Sequence, residues 1–251
     1  MIVIKFGGHA MSDDPLWMRE IKSGWQDGAR YVIVHGGGPQ IDQQLKNEGI
    51  TSEFVGGFRI TTPAVMKVVE AVLTGTVLRS VVRSLQKVGL PAVGITGSDG
   101  GLLDVALKDD GALGLVGEVK RVNPELLRTL IDAGYLPVVA PVSNSQEGTA
   151  LNINADLAAG AIAGALNADE TLFMTDVPGI YRNWPDKSSL IEEISIEDLA
   201  KLKFADGMVP KVAAAIHAVK SGARSARIID GLSVEAFRGA LAGKGGTWVR
   251  A

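Results

Sequence analysis

Tyr31-Val32-Ile33-Val34-His35-Gly36-Gly37-Gly38-Pro39-Gln40-Ile41-Asp42 is the stretch on which the reading of this chain turns. Its β-branched run, Val32-Ile33-Val34, predicts a buried strand. Three consecutive glycines extend neither a strand nor a helix cheaply, so the chain turns there. Pro39 presets a helical φ and carries no N–H, which suits the first turn of a helix whose Ile41 and Leu45 share a face. The result is a set of bare backbone N–H groups beside the positive end of a helix dipole, an arrangement that favours an anion. A tight strand-to-helix connection without a ligand has the same signature, and a glycine triplet alone does not separate the two readings.

A second unit of the same kind precedes it. Residues 1–6 predict the first strand, Gly7-Gly8 a turn and Ser12 a helix N-cap. Lys5 interrupts the apolar run, and a lysine in a central strand is costly unless its ammonium meets an anion or a carboxylate; snorkelling at a sheet edge is the alternative. Two such units early in the chain predict an α/β protein with a mainly parallel sheet, whose ligands gather at the carboxyl ends of the strands.

Composition narrows the class. The 251 residues suffice for one large domain or two small ones, and 46% hydrophobic with 21% charged residues is ordinary for a globular protein. A net charge of −3 gives no electrostatic reason to expect a nucleic acid or an anionic membrane as partner. The absence of cysteine excludes disulfides, thiolate metal sites and cysteine nucleophiles. His9, His35 and His217 stand apart, without metal-ligand spacing. No signal peptide or membrane-spanning run is visible, which points to the cytoplasm.

Further along, residues 50–62 predict an excursion in which Gly56-Gly57 joins two short strands into a flap carrying Arg59. Thr62 as N-cap and Pro63 as first helical residue open a long helix through Val65, Val69, Val72 and Leu73. A strand at 92–96, a hairpin with arms 102–108 and 113–119, a helix from Asn123-Pro124 to Gly134 and a buried strand at 136–142 follow. Residues 151–156 alternate apolar and polar before an Ala/Gly-rich helix at about 157–166. Either Asn154 or Asp156 serves as its cap, which leaves the other polar side chains of Asn152, Asn154 and Asp156 to be explained. Asn167-Ala168-Asp169 marks a boundary between residues 1–167 and 168–251. Beyond it a strand at 171–175 runs into the turn Asp176-Val177-Pro178-Gly179-Ile180-Tyr181, Ser195 caps a short helix, and strands close the chain at 226–229 and 247–250. Gly207-Met208-Val209-Pro210-Lys211 begins a helix that reaches Gly222 and puts a cation where the dipole disfavours it, a conflict an anionic partner removes.

No Gly-x4-Gly-Lys-Ser/Thr loop, protein-kinase glycine loop or Gly-x-Ser-x-Gly elbow occurs. What remains is three glycine turns at strand ends, two lysines, a flap arginine and an Asn-x-Asn-x-Asp cluster. These fit phosphoryl transfer, where a protein positions its substrates and neutralises charge. A carboxylate acceptor is ionised at neutral pH and needs no general base, which agrees with the lack of a histidine in a base-like setting.

Six segments, in order along nearly the whole chain, together resemble the amino-acid kinase family: Lys5-Phe6-Gly7-Gly8, Val34-His35-Gly36-Gly37-Gly38-Pro39, Gly57-Phe58-Arg59-Ile60-Thr61, Asn152-Ile153-Asn154-Ala155-Asp156, Thr175-Asp176-Val177-Pro178-Gly179 and Gly207-Met208-Val209-Pro210-Lys211. The resemblance implies a three-layer αβα sandwich around a mainly parallel, roughly eight-stranded sheet. It implies that residues 1–167 hold the acyl amino acid and carry the flap and a dimer interface, and that residues 168–251 hold the nucleotide. The implied reaction is ATP-dependent phosphorylation of the side-chain carboxylate of N-acetyl-L-glutamate, in arginine biosynthesis. Lys5 and Lys211 then stabilise the transferring phosphoryl group with Asp156 organising them. Gly37 and Gly38 offer amides to the substrate carboxylate and the γ-phosphate, Arg59 pairs with the other carboxylate, and Asn152 and Asn154 complete that shell. Gly7, Gly8 and Asp176, Val177, Pro178, Gly179, Ile180, Tyr181, with Lys203 and Met208, hold the nucleotide, and Mg²⁺ is held through phosphate oxygens and water.

Arginine-inhibited hexamers of this family carry a helix ahead of the first strand, whereas here that strand begins at residue 2, so a homodimer without that feedback is expected. His9 after the double glycine is unusual and reads best as a loop residue. The rival readings are a kinase acting on a carrier-bound aminoadipate or glutamate in lysine biosynthesis, and a catalytically silent nucleotide-binding regulator on the same scaffold. Asn-Ile-Asn-Ala-Asp with Gly-Phe-Arg-Ile-Thr favours the free acetylated amino acid over the first, and both lysines with Asp156 speak against the second.

Overall fold

Alternation along the first strand sets the layers of the molecule. In the computed structural model, which describes residues 1–7, 16–204 and 208–251, strand β1 (Ile2–Phe6) turns Val3 into one hydrophobic cluster and Ile4 and Phe6 into another, as a period of two demands. Lys5 therefore lies on the Val3 face. The expectations for Gly8, His9, Ser12 and Gly207 fall outside the described residues.

The other strands are β2 (Tyr31–His35), β3 (Phe54–Val55), β4 (Phe58–Arg59), β5 (Ala92–Thr96), β6 (Leu103–Leu107), β7 (Val116–Val122), β8 (Leu136–Ala140), β9 (Val142–Asn144), β10 (Ala150–Ile153), β11 (Glu170–Thr175), β12 (Glu193–Ser195), β13 (Ser225–Asp230) and β14 (Thr247–Arg250). The helices are α1 (Leu16–Gln26), α2 (Gly38–Asn47), α3 (Pro63–Glu70), α4 (Leu78–Lys87), α5 (Glu125–Asp132), α6 (Ala155–Leu166), α7 (Ile196–Leu199), α8 (Val209–Lys220) and α9 (Val234–Leu241). An eight-stranded sheet runs β12-β14-β13-β11-β1-β2-β8-β5, parallel except that β14 lies antiparallel to β13 and β12 follows β14. Helices α5, α6, α7 and α8 cover the Val3 face and α1, α2, α3, α4 and α9 the other, which is the three-layer sandwich expected. A smaller sheet, β6-β7-β10-β9, packs with the first cluster. Among the described residues no helix is long and apolar enough to cross a membrane.

The sheet does not break at 167–169. β1, from the first part of the chain, pairs with β2 on one side and with β11, from the second, on the other. The strand order thus reverses direction at β1, and a crevice opens at the carboxyl ends of β2, β1 and β11.

Three local expectations need correction. The strand expected at 136–142 is two: Pro141 has no N–H for the ladder, so β8 stops at Ala140 and β9 enters the small sheet. The long helix from Pro63 is interrupted by a π-helical segment, Ala71–Val77, where the Thr74 hydroxyl donates to the Glu70 carbonyl at 2.8 Å and competes with the α-helical bond. Helix α6 starts at Ala155, two residues early, because Asn154 is its cap: Oδ1 accepts from the N–H groups of Asp156 at 2.9 Å and Leu157 at 3.2 Å. Strand β12 and helix α9 went unpredicted, β12 being only 3 residues long.

Helices α6 and α8 carry Asp156 and Lys211, and they cross closely because α6 presents glycines there. A methyl group on Gly160 would stand 2.6 Å from the Ala214 carbonyl oxygen, backbone that cannot swing aside. Gly160→Ala is expected to cost about 1–3 kcal/mol by overpacking and to push Lys211 away from Asp156. Calorimetric melting beside turnover checks this, and an unchanged melting temperature would refute the close-crossing argument.

Candidate active site

The N-terminal residues of α2, α6 and α8 line a single cavity of about 580 Å³ above the carboxyl ends of β1, β2 and β11, a size suited to small organic ligands. Its wall includes Lys5, Gly7, Gly37, Gly38, Arg59, Asn152, Asn154, Asp156, Asp176, Val177, Met208 and Lys211. The two lysines, far apart in sequence, meet on one carboxylate. Lys5 Nζ lies 2.8 Å from Asp156 Oδ1, and Lys211 Nζ lies 3.3 Å from Asp156 Oδ2. Lys5 reaches it because the Val3 face of β1 is the face against which α6 packs. Lys211 reaches it from the first turn of α8.

Asp156 is 5% exposed. Burial works against its ionised form, but the ammonium groups of Lys5 and Lys211 outweigh that and hold the carboxyl below the usual carboxylate range. Two cations against one anion leave an excess of positive charge at the cavity wall, where low dielectric strengthens its pull on an incoming anion.

The glycine turn lines the same cavity. Gly37 is the N-cap of α2 and offers no side-chain cap, so the first N–H groups of α2 have no intrahelical acceptor. A Cβ on Gly37 would come 2.6 Å from Leu73 Cδ2, which puts the π-helical segment directly behind the turn.

The flap is the β3–β4 hairpin. Arg59 is buried beneath it, with its guanidinium 4.5 Å from the ring centre of Phe54. Its Nη1 donates to Asp42 Oδ1 at 2.7 Å and to Ser52 Oγ at 3.2 Å, while Nη2 has no hydrogen-bond partner among the described residues. Asn152 donates through Nδ2 to Thr61 Oγ1 at 3.0 Å, and that hydroxyl donates to the Arg59 carbonyl at 2.8 Å, so the base of the flap is tied to β10. Asn154, a substrate-shell candidate, spends its carbonyl on capping α6. Sequence reasoning passed over Asp42 and Ser52, and no pattern in their spacing marks them as partners of Arg59.

The nucleotide candidates divide. Gly7, Asp176, Val177 and Met208 line the cavity, whereas Pro178, Gly179, Ile180, Tyr181 and Lys203 do not. The chain turns inward after Pro178: Ile180 is 1% exposed and its N–H donates to Thr247 Oγ1 at 2.7 Å. Tyr181 packs its ring against Trp184, 5.2 Å between centres, and Lys203 is exposed. Among the described residues no group of three or more His, Asp or Glu side chains is placed to hold a metal.

Comparison with known proteins agrees with this architecture. A sequence profile described as the amino acid kinase family matches residues 1–230. An acetylglutamate kinase of Mycobacterium sp. (strain JLS) is 45% identical over 242 residues, covering 92% of this chain and 83% of that protein. Another, of Geobacillus kaustophilus (strain HTA426), is 44% identical over 235 residues, covering 92% of this chain and 90% of its own length. Among solved structures, Giardia lamblia carbamate kinase bound to AMP-PNP superposes with a TM-score of 0.74 at 22% identity, over 99% of this chain and 97% of that one, a likeness of fold.

Proposed function

This chain belongs to the amino acid kinase family, and we propose that within it the protein transfers the γ-phosphoryl group of ATP to the side-chain carboxylate of N-acetyl-L-glutamate, in arginine biosynthesis. The observation that carries the reading is the grip of Lys5 and Lys211 on Asp156 at the wall of the cavity. Relatives 44–45% identical that bear the acetylglutamate kinase name support the acceptor.

An acceptor oxygen, already ionised, forms a bond to the γ-phosphorus as the bond from phosphorus to the β,γ-bridging oxygen breaks; ADP leaves and no proton moves. Lys5 and Lys211 neutralise charge on the transferring group, and Asp156 keeps both ammonium groups in position. The amides of Gly37 and Gly38 hold the reacting carboxylate and the γ-phosphate, and Arg59 holds the other carboxylate through the guanidinium edge that Asp42 leaves free. Asn152 contacts the substrate beside it. The nucleotide lies over Gly7, Asp176, Val177 and Met208, with its base side toward segment 178–181 and Lys203. Mg²⁺, carried on the phosphates, offsets part of their charge. On this reading residues 1–167 form the acyl-amino-acid half and residues 168–251 the nucleotide half.

An ATP-dependent hydroxamate assay across acetylglutamate, glutamate, aspartate and carbamate tests the proposal. Acetylglutamate is expected to be the best acceptor, and preference for any of the other three would overturn the assignment. Arg59→Ala is expected to raise the KM for acetylglutamate by about 10- to 100-fold with little change in kcat, the loss of one or two charge-assisted hydrogen bonds. An unaltered KM would mean that the flap arginine binds no substrate.

A further inference from the structure

Among the described residues, His35 is a buried titratable side chain to which the proposed reaction gives no task. His35 closes β2, pairs in register with Phe6 of β1 and is 0% exposed. It shares the strand face of Tyr31 and Ile33, the face covered by α2, α3 and α4. Its Nδ1 lies 2.8 Å from the carbonyl oxygen of Gly36, the first residue of the glycine turn. A carbonyl oxygen only accepts, so Nδ1 carries the hydrogen and donates it. Burial pushes the imidazole pKa down to about 4 against the opposing pull of that same bond, so the ring is neutral at working pH, with Nδ1 protonated and Nε2 bare.

We infer that His35 is a positioning residue, whose Nδ1–H fixes the Gly36–Gly37 peptide and thereby aims the Gly37 amide. A trans peptide unit is planar, with C=O and N–H pointing to opposite sides. Holding the Gly36 carbonyl on the imidazole side therefore sends the Gly37 N–H the other way. The preceding peptide is pinned too, because the Gly36 N–H donates to the Phe6 carbonyl at 2.8 Å. Leu73 closes the space behind Gly37. Glycines contribute no side chain of their own to resist rotation, and three in a row leave a wide range of backbone conformations open. An imidazole locked in one tautomer, a β-strand carbonyl and an apolar backstop together reduce that range to one. The inference rests on the proposed role of the Gly37 and Gly38 amides in holding the acceptor and the γ-phosphate.

Three substitutions separate the amide-aiming role from mere filling of the core. Asparagine places an N–H near the position of Nδ1, glutamine places its amide farther out, and leucine fills space with no donor. His35→Leu and His35→Gln are each expected to lower kcat by about 10- to 100-fold, the scale of a small misalignment of reacting groups, while His35→Asn keeps the larger part of parental turnover. A filler role predicts the reverse order, with leucine best, and that order or equal rates for all three would overturn the proposal. The rates are read on whichever acceptor the parent enzyme turns over, so a wrong acceptor counts against the proposed reaction and not against His35. Independently of activity, ¹⁵N imidazole shifts of the intact protein are expected to report a protonated Nδ1 and bare Nε2 unchanged between about pH 5.5 and 8. A ring protonated at Nε2, or one that titrates in that window, would refute the assignment even if the leucine variant failed to fold.

Discussion

Lys211→Ala is expected to lower kcat by about 10²- to 10³-fold, near 3–4 kcal/mol of transition-state stabilisation, while the KM values for both substrates change little. Charge moves onto the bridging and equatorial oxygens only as the phosphoryl group departs, so an ammonium placed to meet it contributes more in the transition state than in the bound ground state. Lys211 is well placed for this because its partner carboxylate is shared. The 3.3 Å contact to Asp156 Oδ2 orients the ammonium without consuming it, since Lys5 supplies the nearer counter-charge to the same carboxylate.

The stability of the variant is expected to fall far less than its activity. Removing Lys211 leaves the 2.8 Å Lys5–Asp156 pair intact. It also removes a cation from the first turn of α8, where the helix dipole opposes it by about 0.3–1 kcal/mol. Melting temperature and steady-state kinetics on the same preparation check both halves. A turnover within about threefold of the parent, when one transition-state donor is expected to be worth at least a hundredfold, would remove Lys211 from the chemistry. A protein that no longer folds would mean that the lysine is structural.

How far such a cluster can be read from sequence depends on the range of the signal. Lys5 and Lys211 were legible because each violates a local rule: a charge inside a buried strand, and a cation at a helix start. Asp156 was legible as one of three polar side chains closely spaced before an apolar helix, more than one cap requires. The glycine turn was legible because three consecutive glycines extend neither strand nor helix cheaply and the proline after them presets a helical φ. Asp42 and Ser52 were not. They act on Arg59 across 17 and 7 residues of chain, and each is unremarkable in its own neighbourhood. The π-helical segment escaped for the opposite reason: Val65, Val69, Val72 and Leu73 fit a helical pattern, and nothing in that pattern marks the widened turn at Ala71–Val77.

Asp156→Asn should show in stability as clearly as in rate. The substitution keeps the size of the side chain and removes its charge, leaving Lys5, 8% exposed, and Lys211, 19% exposed, as neighbouring ammonium groups with no counter-ion. Breaking a buried ion pair from one side costs about 3–5 kcal/mol, which for a chain of this length is on the order of 10 °C in melting temperature. The dependence on pH has a definite sign. The folded protein holds the Asp156 carboxyl below its ordinary range, so its contribution is fully present above the unfolded value and disappears as pH falls through the folded one. The gap between parent and variant is therefore expected to be wide at neutral pH and to close only in strong acid. Anions discriminate further, because two unpaired ammonium groups in a cavity form a better anion site than two paired ones. Pyrophosphate is expected to raise the melting temperature of the variant by more than that of the parent, by linkage. Equal melting temperatures at neutral pH, or equal responses to pyrophosphate, would mean that the carboxylate does not hold the two cations apart, and the mechanism built on that grip would fall with it.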